Sequence, residues 1–289
     1  MTPQLRPVAL CADDYAFTPA VSAGIREALA ARRLSATSVM TTRPGWPGEA
    51  AALREVLGEA EAGVHLTLTV GAPLGPMPAF AAQGEFPPVG AVIRQAVAGR
   101  LPMGEIAAEI DRQLDAFVAA FGEPPAFVDG HQHVQTLPGV RDALLDALAR
   151  RGWAGRLWVR DSADTVARIL RRGVETGKAL TVATLATGFA AAARRRAVAV
   201  NHGFSGFSSF DSARDFGADF ARYLVAPGAA HLVMCHPGRV DAELAALDPV
   251  VDSRPRELDF FLSEAFPARL DAAGVGIAPL GRMLGLHRG

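Results

Sequence analysis

The feature that most restricts the possible folds is a recurrence in which short apolar runs end in an acid or an imidazole and then give way to helical patterns. Residues 8–12 lead into Asp13-Asp14, residues 63–69 carry His65, residues 126–128 lead into Asp129-Gly130-His131-Gln132-His133, and residues 231–235 lead into His236-Pro237-Gly238. Short, nearly continuous apolar runs suit parallel strands covered on both faces. Residues 36–41, 156–160, 197–201 and 275–277 read as further strands. Helices are expected over 18–33, 48–57, 104–121, from Leu137-Pro138-Gly139 to about 151, across most of 164–196, over 255–272 and at the end of the chain. Such alternation predicts an α/β fold, a closed or nearly closed (β/α) barrel of seven or eight parallel strands forming a single domain over 1–289.

In such barrels the chemistry collects at the carboxyl ends of the strands. Asp13, Asp14, His65, Asp129, His131, His133 and His236 all fall there. Successive side chains on a regular strand point to opposite faces, so Asp13 and Asp14 reach one cavity only if the chain leaves strand geometry between them. In an extended segment His131 and His133 would share a face about 6–7 Å apart. Neutral imidazoles with a nearby carboxylate are the ligands divalent metals use. Taken one at a time, these groups also fit blander roles: Asp13-Asp14 as helix-capping acids, His65 as a hydrogen-bonded core group, and His131 and His133 as loop histidines. Their common placement at strand ends favours one metal site.

Composition narrows the function classes. Half of the 289 residues are apolar, a fifth are charged, and the formal net charge is −1. No basic stripe offers a footprint for nucleic acid or an anionic membrane, which favours a small neutral substrate. The opening residues 1–7 lack the basic and apolar regions of a secretion signal, and a cytoplasmic location is expected. Residues 179–193 are too short and too interrupted for a membrane span and read as a buried helix. Cys11 and Cys235 are too few for a disulfide framework and are expected to be buried thiols. Residues 71–90, rich in proline and glycine, predict a long surface loop. The Gly/Ser/Phe-rich stretch 202–210 reads as a loop of the kind that rims a sugar site. Arg194-Arg195-Arg196 is expected in the last turn of a helix, where cations favour the dipole.

Cys11-Ala12-Asp13-Asp14-Tyr15, Gly63-Val64-His65-Leu66, Asp129-Gly130-His131-Gln132-His133 and Met234-Cys235-His236-Pro237-Gly238 together resemble the signature blocks of the YdjC-like carbohydrate deacetylases, a family with chitooligosaccharide and hopanoid-associated branches. The resemblance implies a distorted TIM-like barrel holding one divalent cation through Asp14, His65 and His131. It implies Asp13 as general base and His236 as the group assisting the leaving nitrogen, with His133 the second candidate for that role. The chemistry implied is removal of the acetyl group from a small N-acetylated amino sugar, with a metal-bound water as nucleophile. Two departures bear on loop shape and substrate choice: Tyr15-Ala16 stands where the family often has Phe-Gly, and Gln135 where it often has a third histidine. The family implies Mg2+, whereas two imidazoles and a carboxylate also suit Zn2+, Mn2+ or Co2+. An amidohydrolase or phosphoesterase type of barrel is a weaker reading, since the His-x-His lies mid-chain and the only lysine, Lys178, falls in an expected helix. A non-catalytic sugar-binding protein leaves the Asp13-Asp14 pair without a purpose. A homodimer is the base-rate expectation.

Overall fold

A computed structural model describes residues 5–211 and 213–286. The reading of the opening residues falls partly on 1–4, outside the described residues. Among the described residues there are nine strands: β1 (Arg6–Tyr15), β2 (Ala36–Val39), β3 (Glu61–Leu66), β4 (Phe127–Gly130), β5 (Trp158–Val159), β6 (Ala199–Val200), β7 (Phe204–Ser205), β8 (His231–Cys235) and β9 (Val275–Ile277). Eight of them run in the order β6-β5-β4-β3-β2-β1-β8-β7, and β9 pairs with the start of β1. Every ladder between named strands is parallel. The ends of this curled sheet, β6 and β7, are consecutive in the chain and are bridged by residues 201–203 rather than by a ladder among the described residues. The α/β barrel expectation holds, in distorted and open form.

Around the sheet lie α1 (Pro19–Ala30), α2 (Trp46–Leu57), α3 (Val89–Val97), α4 (Met103–Phe121), α5 (Val140–Arg150), α6 (Val166–Arg172), α7 (Thr176–Leu185), α8 (Phe189–Arg195), α9 (Phe216–Tyr223), α10 (Ala242–Leu247), α11 (Ser253–Leu262), α12 (Ala265–Ala273) and α13 (Leu280–Met283). Thr18 caps α1 by accepting from the Val21 N–H, with Pro19 in the first turn, as its sequence predicts. Helix α4 buries Ile106, Ile110, Leu114, Phe117 and Phe121, a stripe at helical spacing, and Phe117 stacks on Trp46 at 5.5 Å. The same helix buries Gln113, whose amide accepts from Thr67 N (2.9 Å) and donates to Thr67 O (2.8 Å). That clamp fixes the chain just beyond His65.

The parity of the strands decides what enters the barrel. Val8, Leu10 and Ala12 face the helices, while Ala9 and Cys11 face inward with Ala36, Phe127, Trp158, Phe204, Leu232 and Met234. Phe127 and Trp158 stack at 4.1 Å and fill the centre. Two residues further along these strands, the same inward face carries Asp13, His65, Asp129, Arg160 and His236. The polar layer therefore lies directly on the apolar plug.

Four expectations need correction. Residues 131–136 form a 3₁₀ segment in which Gln132 (φ 52°) and His133 (φ 63°) are left-handed, so His131 and His133 do not share an extended face. Residues 202–210 include β7, disguised by Gly203 and Gly206. A Cβ on Gly206 would fall 2.0 Å from Met234 O, so only glycine lets this segment lie against β8. Residues 179–193 are split by Gly188 (φ 84°) into α7 and α8, largely half-exposed rather than one buried helix. The 255–272 helix is two helices broken at Ser263. The loop over residues 71–88 is present, but α3 follows it, a helix the proline-rich surroundings concealed. Both cysteines are buried and free, and among the described residues no helix is long and apolar enough to cross a membrane.

Candidate metal centre and active site

Asp14 reaches the cavity because β1 breaks its register with β2 between Ala12 and Tyr15, and Asp14 takes φ 70°. Aspartate tolerates this left-handed conformation better than most residues, and a strained non-glycine position at a strand end commonly serves a site. The turn brings both carboxylates of the Asp-Asp pair to one side. Asp14 Oδ1 then lies 3.2 Å from His65 Nε2 and 3.2 Å from His131 Nδ1. One donor atom from each of these three residues lies within 4.8 Å of the others.

The surroundings of the three fit a cation. His65 turns its other nitrogen, Nδ1, to Asp129 Oδ1 at 2.7 Å and Ser38 Oγ at 3.0 Å, which leaves Nε2 to face Asp14. Arg254 Nη2 donates to Asp14 Oδ2 at 2.7 Å and contacts Asp248 at 2.9 Å, so that only Asp14 Oδ1 faces the two histidines. Burial disfavours the charged His65 ring, but Asp129 and Asp14 outweigh it and push its pKa up to about 10. Carboxylates therefore meet both nitrogens of this buried imidazole, a donor set that a cation could share.

Asp13 is held apart from this trio. Arg160 spans its two oxygens with bonds of 2.6 Å each, and the Arg160 Nη2 also meets Asp129 Oδ2 at 2.5 Å. Burial raises the Asp13 carboxyl, but Arg160 overrides it and brings it down to about 2. His236 Nε2 lies 4.0 Å from Asp13 Oδ2, and burial holds its ring below the ordinary histidine value. His133 sits on the far side, bonded through Nδ1 to Ser162 Oγ at 3.1 Å, with its pKa lowered to about 3 by burial and by Arg160.

Asp13, Asp14, His65, His131, His133 and His236 all line one cavity of about 360 Å3. Its rim includes Lys178, Phe207, Phe210 and Val250, and the Phe210 ring meets the His236 ring edge-on at 5.2 Å. The 202–210 stretch therefore does border the site. Sequence reasoning missed Arg160, Arg254 and Glu257, while Asp129, placed at a strand end beside the histidines, orients the His65 ring. A signal for Arg160 was present: it ends a strand at the same inward parity as Asp13.

Glu257, buried beneath His236, accepts from the His236 backbone N–H at 2.7 Å. Burial pushes its carboxyl from 4.5 to about 7. A carboxyl with a raised folded pKa stabilises the fold while protonated, so stability should fall as pH rises from about 4.5 to 7. In the metal-free protein, Glu257→Gln keeps an acceptor for the His236 N–H and is expected to flatten that slope, unfolding about 2–3 kcal/mol harder than the parent above pH 7. Denaturant melts across this range give the result; parallel slopes would contradict it.

Comparison with known proteins agrees with this architecture. A chitooligosaccharide deacetylase from Enterobacter sp. (strain 638) is 36% identical over 147 residues, covering 50% of this chain and 57% of that protein. A human carbohydrate deacetylase is 33% identical over 156 residues, covering 52% of this chain and 47% of the relative, so the chain spans about half the length of the curated relatives it matches. The solved structure of a cellobiose-phosphate cleavage candidate from Enterococcus faecalis V583 superposes with a TM-score of 0.70 at 21% identity, covering 96% of this chain and 99% of that one, which establishes the shared fold. The family model described as YdjC-like protein matches residues 7–272, and the chain belongs to that family.

Proposed function

We propose that the chain is a metal-dependent hydrolase that removes the acetyl group from N-acetylated amino sugars. The observation that carries the reading is the convergence of Asp14 Oδ1, His65 Nε2 and His131 Nδ1 beside an independent acid-base pair, Asp13 and His236, in one cavity. The names of the relatives supply the substrate class. Asp14, His65 and His131 would hold the cation, which when bound lowers the pKa of water and polarises an acetyl carbonyl. Its identity is open to Mg2+ by family and to Zn2+, Mn2+ or Co2+ by donor type.

The protein's own groups perform the proton transfers. Asp13, kept ionised and oriented by Arg160, accepts the proton of the attacking water. That proton passes through His236, 4.0 Å from Asp13, to the departing amine nitrogen, so both groups end the turnover in the protonation states in which they began. Expelling an amine unprotonated is difficult, and positioned acid-base groups of this kind contribute about 10² to 10⁴ in rate. Phe207, Phe210 and Val250 supply apolar surface for the faces of a sugar. The amidohydrolase alternative gains nothing from Lys178, whose Nζ is bonded to the Ser208 carbonyl at 2.7 Å on the rim.

Asp13→Asn retains the shape of the Arg160 contact and removes the base. With metal occupancy matched to the parent, acetate release from N-acetylglucosamine oligomers is expected to fall by about 10² to 10⁴. Equal rates would take Asp13 out of its role.

A further inference from the structure

His133 lines the cavity, yet its surroundings differ from those of the other histidines there. Gln135 Nε2 donates to the Arg160 carbonyl oxygen at 3.2 Å and to Ser162 Oγ at 3.1 Å. Because a carbonyl only accepts, the amide atom facing it must be the NH2 group, which settles the orientation of Gln135. The Gln135 Oε1 atom fits only because residue 130 is glycine, where a Cβ would lie 2.6 Å away. Ser162 Oγ therefore accepts from Gln135, and its own O–H is free to point to His133 Nδ1, 3.1 Å off. An Nδ1 that accepts leaves the ring proton on Nε2. Among the described residues no protein acceptor meets that Nε2–H, and the ring borders the cavity. The ring is steadied edge-on by Phe204 at 5.9 Å and Phe207 at 5.4 Å, on a backbone that takes φ 63° to turn it away from His131.

We propose that Gln135 and Ser162 lock His133 as its Nε2–H tautomer, so that His133 presents a fixed N–H donor to an acceptor oxygen of the substrate rather than carrying protons to it. The substrate in this statement rests on the deacetylase reading; the tautomer does not. Gln135 and Ser162 are positioning residues, and His236 is left as the proton donor. A second proton on His133 would require Nδ1–H to face Ser162, stripping the serine hydroxyl of its acceptor.

Two measurements test this. In the zinc-reconstituted full chain with 15N-labelled histidine, the His133 resonances, assigned by their loss in His133→Gln, should show Nε2 protonated and Nδ1 bare. Ser162→Ala should let the Nδ1–H form appear. In acetate release from N,N'-diacetylchitobiose, His133→Gln keeps an N–H donor and should stay within about tenfold of the parent, while His133→Leu should fall about a hundredfold or more. A parent ring protonated on Nδ1, or a glutamine variant as slow as the leucine variant while both melt like the parent, would overturn the proposal. A parent that releases no acetate but shows the Nε2–H ring would remove the deacetylase reading and uphold the lock.

Discussion

On the proposed reading, replacing Asp14 with alanine is expected to abolish metal retention and, with it, acetate release. Asp14 Oδ1 is the atom toward which both His65 Nε2 and His131 Nδ1 converge at 3.2 Å, so its loss removes the one anionic donor of the set. Loss of groups that merely orient ligands costs 10- to 100-fold in affinity, so loss of the carboxylate ligand itself should cost more than about 100-fold. Activity should fall by roughly 10³ or more, since the chemistry supplied by the cation goes with it. The variant should still fold, because Arg254 keeps Asp248 at 2.9 Å and His65 keeps Asp129 at 2.7 Å. Thermal melts separate the two effects. A cation at 100 times its dissociation constant stabilises the parent by about 2.7 kcal/mol and should leave the variant unmoved. Metal-dependent stabilisation of Asp14→Ala comparable with the parent's would displace the site from Asp14, His65 and His131.

The strand ends were legible in the sequence because an apolar run that stops at an acid or imidazole carries two signals at once, burial and chemistry. Asp13, His65 and His236 lie where that pattern places them, on the inward parity of β1, β3 and at the end of β8. The need for a break in β1 was also legible, since Asp13 and Asp14 cannot share a face otherwise, and the bulge at Asp14 supplies it. What local pattern does not reveal is partnership across the chain. Arg160 lies 147 positions from Asp13, and Arg254 lies 240 positions from Asp14 on a helix with no motif of its own. The path of residues 131–133 was misread for a different reason. Their spacing suits an extended strand, but two successive left-handed residues turn the chain, sending His131 to Asp14 and His133 to Ser162. Identical residue types two apart therefore enter different environments, one beside a carboxylate and the other beside a hydroxyl.

Arg160 is the group whose removal should cost the fold most. It is fully buried and its guanidinium neutralises Asp13 and Asp129 together. Arg160→Met has similar length and leaves two buried carboxylates facing each other, for which about 3–5 kcal/mol of stability is the expected loss. In a chain of this size that lowers the melting temperature by on the order of 10 °C. The pH dependence should also change sign at this site. In the parent, Asp13 is depressed to about 2 from an unfolded value of 3.8, so its stabilisation is full above that value and lost as pH falls toward 2. Without Arg160, burial governs and raises the Asp13 carboxyl, so the variant should recover stability as acid protonates it. Adding Asp13→Asn to Arg160→Met should restore part of the loss, because the carboxylate left without its guanidinium partner is gone while Asp129 keeps His65. Denaturant melts of the parent, the single variant and the double variant between about pH 3 and 7 contain the whole comparison. A single variant that melts with the parent's midpoint and the parent's acid slope would mean that Arg160 neither holds Asp13 ionised nor supports the polar layer that lines the cavity.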